Sequence, residues 1–329
     1  MQPDKQRPIG NTSVRVTQFG LGGAPFGNVF STVSDDAVNE TIAAAFDAGV
    51  RYFDTAPLYG RGRSEQRLGA GLVRFPRNAV VISTKVGYTL VPRTDGDYDT
   101  RFDYSRDAVL RSLDESMKRL QTDRVDIVLI HDPDESLSTQ PNRDPYERSH
   151  FADVMAGAYP ALAELRAQGV VKAIGLGMNQ WQMLYDFAQA GDFDCFLLAG
   201  RYTLLEQTSL QKLLPLCAQK QISVIIGGPY NSGILATGAV DGALYNYLPA
   251  PAHIMERVRQ IEAVCARHHV ALQAAALQFP FGHPAVTSII PGARSVAELE
   301  ANLRFCQQRI PADLWAELKR LALLDADAP

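Results

Sequence analysis

The sequence predicts an α/β protein, a closed (β/α)8 barrel with long loops at the C-terminal face and an extra C-terminal helix. Three observations carry this. Eight short apolar runs recur along the chain, amphipathic helical stretches separate them, and several runs end in a polar residue that a buried strand would otherwise avoid. Parallel strands need helical crossovers, and eight repeats suggest closure. The chain of 329 residues suits one such barrel, and no linker or longer repeat divides it, so residues 1–329 read as a single domain.

The strand candidates are residues 17–22, 51–54, 80–85, 125–131, 173–177, 195–199, 223–227 and 288–291. Helical patterns lie between them. Residues 37–48 carry a repeating apolar face and stop at Gly49. Ser64 opens a second helix, with Arg67 where a capping box would place Glu or Gln. Ser105 and Asp107 suit the start of a helix running to Leu120. Residues 160–168 and 181–190 end at Gly169 and Gly191, and 210–220, 253–268 and 296–306 complete the set. A last helix is expected at 312–324. Three insertions, 87–104, 132–159 and 228–252, leave the C-terminal ends of strands, where loops shape a substrate mouth.

Composition narrows the function. Hydrophobic residues make up 46% and charged residues 21%, an ordinary globular balance. A net charge of −4 with scattered Lys and Arg argues against a nucleic-acid or anionic-membrane surface. No apolar run is long enough to span a bilayer, and no signal core is visible, so a cytoplasmic location is expected. Cys195, Cys217, Cys265 and Cys306 lie far apart in apolar segments and read as buried thiols, without zinc-ligand spacing. No metal is expected.

The candidate chemistry sits at strand ends. Asp54 and Lys85 end the second and third strands, His131 ends the fourth, and Tyr59 follows Asp54 closely. A phenol titrates near 10 and must drop by roughly two to three units to exchange protons near neutrality. A nearby ammonium favours phenolate, so Lys85 is expected to lower Tyr59, with Asp54 keeping Lys85 charged and His131 donating to the substrate oxygen. Taken singly, each residue has a plainer explanation: a strand-end cap for Asp54, surface packing for Tyr59, a solvated end for Lys85, a satisfied core histidine for His131. It is the combination that carries the chemistry.

The runs YFDTAPLYG (52–60), STKV (83–86), LIHD (129–132), GLGMN (175–179) and IPGARS (290–295) resemble, in order and over essentially the whole chain, the aldo-keto reductase family. The resemblance implies the barrel, hydride transfer with a nicotinamide cofactor, and a tetrad of Asp54, Tyr59, Lys85 and His131 with Tyr59 as the proton-transfer residue. LIHDPDE (129–135), LAGRYTLLEQ (198–207) and GGPYNSGIL (227–235) are similar to a branch of L-fucose, D-threo-aldose and L-galactose dehydrogenases, with pyridoxal 4-dehydrogenase nearby. That implies NAD(P)-dependent oxidation of an aldose at C1 to the lactone. Alternatives are pyridoxal oxidation, general aldehyde reduction and, from a different class, a non-catalytic cofactor-sensing subunit. A small sugar is the expected partner; oligomeric state stays open.

For the cofactor, the resemblance carries over Asn179 at the nicotinamide carboxamide, and Gly292, Arg294, Glu298 and Asn302 around the adenosine half. Met178 stands where the family often has Ser, Ala199 where it often has Gln, and Gly227 where relatives stack an aromatic; Tyr230 is the nearest replacement. Glu298 would repel a 2′-phosphate and suit a ribose, which favours NAD, although Arg294 leaves NADP open. The remaining histidines, among them His150 and His283, read as surface or loop residues, Trp181 and Trp315 as packing. The insertion aromatics suit a sugar wall, a barrel cover or an oligomer contact alike. Asp95, Asp97, Asp99 and Asp103 form an acidic patch, by default a solvated loop.

Overall fold

The computed structural model describes residues 1–29, 31–135 and 149–329. Eight parallel strands form one sheet in the order of the chain: β1 (Leu21–Gly22), β2 (Tyr52–Asp54), β3 (Val81–Val86), β4 (Ile127–His131), β5 (Ala173–Met178), β6 (Cys195–Ala199), β7 (Ser223–Gly227) and β8 (Val286–Ile290). Parallel bridges Phe19–Ile289 and Gly22–Gly292 bring the first strand against the last and close the barrel. The helices around it are α1 (Asp35–Asp47), α2 (Arg63–Leu72), α3 (Arg106–Arg119), α4 (Tyr159–Ala167), α5 (Trp181–Ala190), α6 (Leu213–Lys220), α7 (Ala252–Arg267) and α8 (Val296–Gln307). The extra C-terminal helix is Ala312–Arg320.

Two apolar layers hold this together. Inside the barrel, Tyr52, Ile127, Leu129, Ala173, Cys195, Leu197 and Ile225 pack on one another. Outside, the opposite faces of the same strands meet the helices, as Phe53, Val128, Ile130, Ile174, Phe196 and Ile226 show. Strands buried on both faces read as continuous apolar runs, which is why they are visible in the sequence.

Three expectations about the elements need correction. Thr17 does not begin the first barrel strand. Arg15–Thr17 pairs antiparallel with Gln6–Pro8, and this hairpin plugs the N-terminal end of the barrel with Ile9, Val14 and Val16. Ser64 does not cap α2. Gly62, at φ +90°, occupies the cap without a side-chain bond, while buried Ser64 donates to the Gly23 carbonyl (2.7 Å) and bonds Thr55 Oγ1 (2.8 Å). The helix Leu272–Gln278, mostly Ala and Leu, is additional to the expected set. By contrast, Ser105 caps α3 as expected, accepting from the Ala108 amide, and Ser34 caps α1 in the same way through the Ala37 amide.

The insertions at the C-terminal face have their own structure. Tyr88–Pro92 and Tyr98–Phe102 form a hairpin, and Leu244–Tyr245 with Leu248–Pro249 forms a smaller one. The expected acidic patch is not one: Asp97 pairs with Arg61, Asp95 and Asp99 with Arg93, and Asp103 with Arg101. Tyr146 lies outside the described residues. His283 is buried rather than superficial. Among the described residues, no helix is long and apolar enough to cross a membrane, and all four cysteines are buried and free.

Candidate active site

Asp54, Lys85 and His131 end β2, lie late in β3 and end β4, three strands that are direct neighbours. Lys85 Nζ donates to Asp54 Oδ2 (2.7 Å) and to the Thr55 carbonyl (2.8 Å), and both charged side chains are almost wholly buried. Ser83 Oγ donates to Asp54 Oδ1 (2.7 Å), so each carboxylate oxygen is occupied. Tyr52 in turn bonds Ser83 (3.0 Å). Neither Ser83 nor Tyr52 stands out in the sequence, because hydroxyls on buried strands have many structural uses.

Tyr59 is held by the loop after β2. Gly60, at φ +62°, lies against Gly27, and a Cβ on Gly60 would fall 2.1 Å from the Gly27 carbonyl oxygen. Only glycines allow this approach, and it fixes the backbone beside Tyr59. The Tyr59 ring then lies 4.8 Å from Lys85 Nζ, centroid to nitrogen, and edge-on to His131 at 5.8 Å. The four candidate residues thus converge at one mouth.

His131 is buried, and its Nδ1 has no hydrogen-bond partner among the described residues. Tyr88 meets its ring edge-on at 5.2 Å, and Tyr104 donates to its carbonyl (2.7 Å). Phe102 packs on both tyrosines. The first insertion therefore packs aromatic rings beside His131.

The candidate cofactor residues lie at the end of β5 and in the segments after β7 and β8. Asn179, directly after β5, donates to the Ala199 carbonyl (2.8 Å). Gly292 takes part in barrel closure, and a Cβ there would strike Pro25 at 2.6 Å. Ser295 caps α8, and Glu298 in its first turn accepts from the Arg294 guanidinium (2.6 and 2.9 Å) and amide (2.9 Å). Tyr230 donates to Asn302 Oδ1 (2.6 Å), which ties the loop after β7 to α8.

A sequence profile of the Aldo/keto reductase family matches residues 18–323. The chain belongs to the aldo-keto reductase family. Among curated relatives, it is 38% identical to a pyridoxal 4-dehydrogenase of Microbacterium luteolum, over 98% of this chain and 99% of that protein. It is 39% identical to a D-threo-aldose 1-dehydrogenase of a Pseudomonas species, over 94% of this chain and 95% of that one. In fold it matches the holo form of an aldo-keto reductase from Bacillus halodurans with a TM-score of 0.76, covering 99% and 98% of the two chains at 20% identity.

The electrostatics of this aldo-keto reductase differ from the expectation at Tyr59. Its hydroxyl is pushed well above the ordinary phenol value, first by burial and then by the Asp54 and Asp132 carboxylates. The expected lowering by Lys85 is not seen: its charge is paired with Asp54 at 2.7 Å, and burial and the two carboxylates set the direction. His131 moves the other way, well below the ordinary imidazole value, through burial and then the Lys85 ammonium. At neutral pH the reductase therefore holds a protonated phenol beside a neutral imidazole.

A second buried network has no counterpart in the sequence reading. Glu65 on α2 is fully buried and accepts from Thr84 on β3 (2.6 Å) and from Arg119 on α3 (2.6 Å). Thr84 is adjacent to Lys85 and points to the opposite face, so this bond fixes the strand that carries the lysine. A Glu inside a helical stretch carries no sign of such a role.

Proposed function

We propose that the whole chain works as one barrel unit and oxidises an aldose at C1 to the lactone, with Tyr59 exchanging the proton. The carrying observation is the convergence of Tyr59, the buried Lys85–Asp54 pair and His131 at one mouth, with the His131 Nδ1 lacking a partner among the described residues. A buried polar atom without a partner suits a bound oxygen. The 39% identity to a D-threo-aldose 1-dehydrogenase supports the substrate class.

The residues also fit a nicotinamide cofactor. Asn179 sits at the end of β5 for the carboxamide, and the amides at the start of α8 suit a phosphate. When bound, the cofactor supplies the hydride acceptor. In its basic, phenolate form Tyr59 takes the proton of the anomeric hydroxyl as the C1 hydrogen leaves with its electron pair, and the C1–O bond becomes the lactone carbonyl. His131 orients that oxygen. Lys85, fixed by Asp54 and Thr55, stands beside the phenolate before it takes the proton. Because Glu298 already faces Arg294, the adenosine end favours a ribose diol, and NAD is preferred over NADP.

The 38% identity to a pyridoxal 4-dehydrogenase over nearly the full length of both chains favours a second reading, oxidation of pyridoxal at its hemiacetal carbon. The same step serves both substrates. The deciding experiment is turnover of L-fucose, D-arabinose, L-galactose and pyridoxal with NAD and with NADP, followed by nicotinamide absorbance. Reduction with sugars supports the first reading, reduction with pyridoxal alone supports the second, and no reduction at high enzyme concentration refutes both.

A further inference from the structure

The small hairpin over the mouth carries a side chain in an unfavourable backbone conformation. Its strands, Leu244–Tyr245 and Leu248–Pro249, are joined by the two-residue turn of Asn246 and Tyr247, with φ of +50° and +68°. A two-residue turn with both central residues left-handed favours Asn first and Gly second. Asn246 meets that preference and Tyr247 does not. A bulky residue at such a φ is an outlier that the surroundings must impose.

The surroundings do impose it. Ser232 Oγ accepts from the Tyr247 amide (2.8 Å), and Asn231 Oδ1 accepts from the Asn246 amide (3.2 Å). Arg201 donates to Asn246 Oδ1, and Asn231, almost fully buried, is itself anchored on the Gly200 carbonyl (3.3 Å). Asn231 and Ser232 are also left-handed, so two strained pairs are locked against each other. The result is a fixed ring position. Tyr247 remains 45% exposed, yet its hydroxyl oxygen accepts from Asn179 Nδ2 at 3.4 Å. The phenol thus spans from the hairpin tip to the end of β5.

We propose that Tyr247 is a substrate-positioning residue that walls the mouth for a ring-shaped, hydroxyl-bearing substrate. The inference rests on the reading of the site as one that oxidises a cyclic hemiacetal. With its oxygen accepting from Asn179, the phenol keeps its own hydrogen for a ring hydroxyl, while its face packs on the substrate's C–H groups. A small open-chain aldehyde reaches neither.

The test compares wild type with Tyr247→Gly and Tyr247→Phe on an aldose or pyridoxal and on a three-carbon aldehyde, alongside thermal unfolding. Glycine relieves the turn, so Tyr247→Gly should unfold at the same or a higher temperature. Its KM for the ring substrate should rise about tenfold or more, with kinetics on the small aldehyde within about twofold. Tyr247→Phe, which keeps the ring, should raise the ring-substrate KM by roughly threefold. Unchanged ring-substrate kinetics in both variants, equal losses on both substrate sizes, or a fall of more than about 5 °C in Tyr247→Gly would each overturn the role. Wild type inert toward every ring substrate would remove the function reading and this inference together; active wild type with unchanged variants removes only Tyr247.

Discussion

The two ends of the barrel treat buried carboxylates differently. At the N-terminal end, Asp126 accepts from Arg77 (2.8 Å), Lys172 (2.9 Å) and the Ile82 amide (3.0 Å). Asp194 accepts from Arg166 (2.9 Å) and the Ile174 amide (2.8 Å). The N-terminal hairpin covers that end, with Gly10 donating to Ser223 at the start of β7. At the C-terminal end, Asp54 is equally satisfied, but it serves a buried lysine beside a histidine whose Nδ1 has no partner among the described residues. Closed networks that include backbone amides join strands to one another. Networks that end in an unpartnered atom leave room for a ligand.

Substitutions at the two ends should separate these roles. The largest effect is expected at Tyr59: Tyr59→Phe should lower kcat by about 10³-fold with unfolding and cofactor binding unchanged, since the ring stays and the proton carrier goes. Stopped-flow and steady-state turnover check this, and unchanged turnover rules Tyr59 out as the acid–base group. Lys85→Met leaves the buried Asp54 carboxylate without its cation, which should cost about 3–5 kcal/mol of stability as well as most activity. Urea unfolding measures the first part; a variant as stable as wild type would mean that the pair is more hydrated than its burial implies.

At the opposite end, Asp126→Ala should cost about 2–4 kcal/mol of stability, because the Ile82 amide and two cations lose their acceptor. Its kcat should stay within about twofold of wild type, because chemistry in such barrels is built at the C-terminal face and the opposite face serves stability. A large loss of kcat in folded Asp126→Ala would blur the contrast. Glu298→Arg is a smaller change. It releases Arg294 and adds a second cation, so NADP should gain on NAD by about tenfold in kcat/KM; no shift would place the adenosine elsewhere.

The most diagnostic effect is in the pH profile. Tyr59 is raised, so its phenol stays protonated through neutrality and its basic form appears only in alkali. Aldose oxidation should therefore quicken as pH rises from about 6 toward about 10, while carbonyl reduction, which uses the protonated phenol, should hold steady through neutral pH. Oxidation that is flat down to about pH 6 would mean that the bound state lowers Tyr59 far more than the side chains alone allow.

Much of this is legible in the sequence. The eight strands are visible because burial on both faces leaves mostly apolar runs, and Asp54, Lys85 and His131 are visible because they break those runs at or near their ends. Ser105 announces its helix because an N-cap is a local bond, made within three residues. Other features depend on neighbours far away in the chain. Ser64 serves Gly23 and Thr55, Glu65 serves Thr84 and Arg119, and Thr17 belongs to a hairpin that plugs the barrel. The shift at Tyr59 escapes the sequence because it depends first on burial and then on how near the Asp54 and Asp132 carboxylates come, neither of which any spacing encodes. The strained turn at Tyr247 is held by Ser232, Asn231 and Arg201, each at least 15 residues from its partner in the turn. Periodicity and caps are set by adjacent residues and can be read along the chain; charge balance, strain and the shape of the mouth arise only when distant residues are packed together, and the tertiary structure alone decides them.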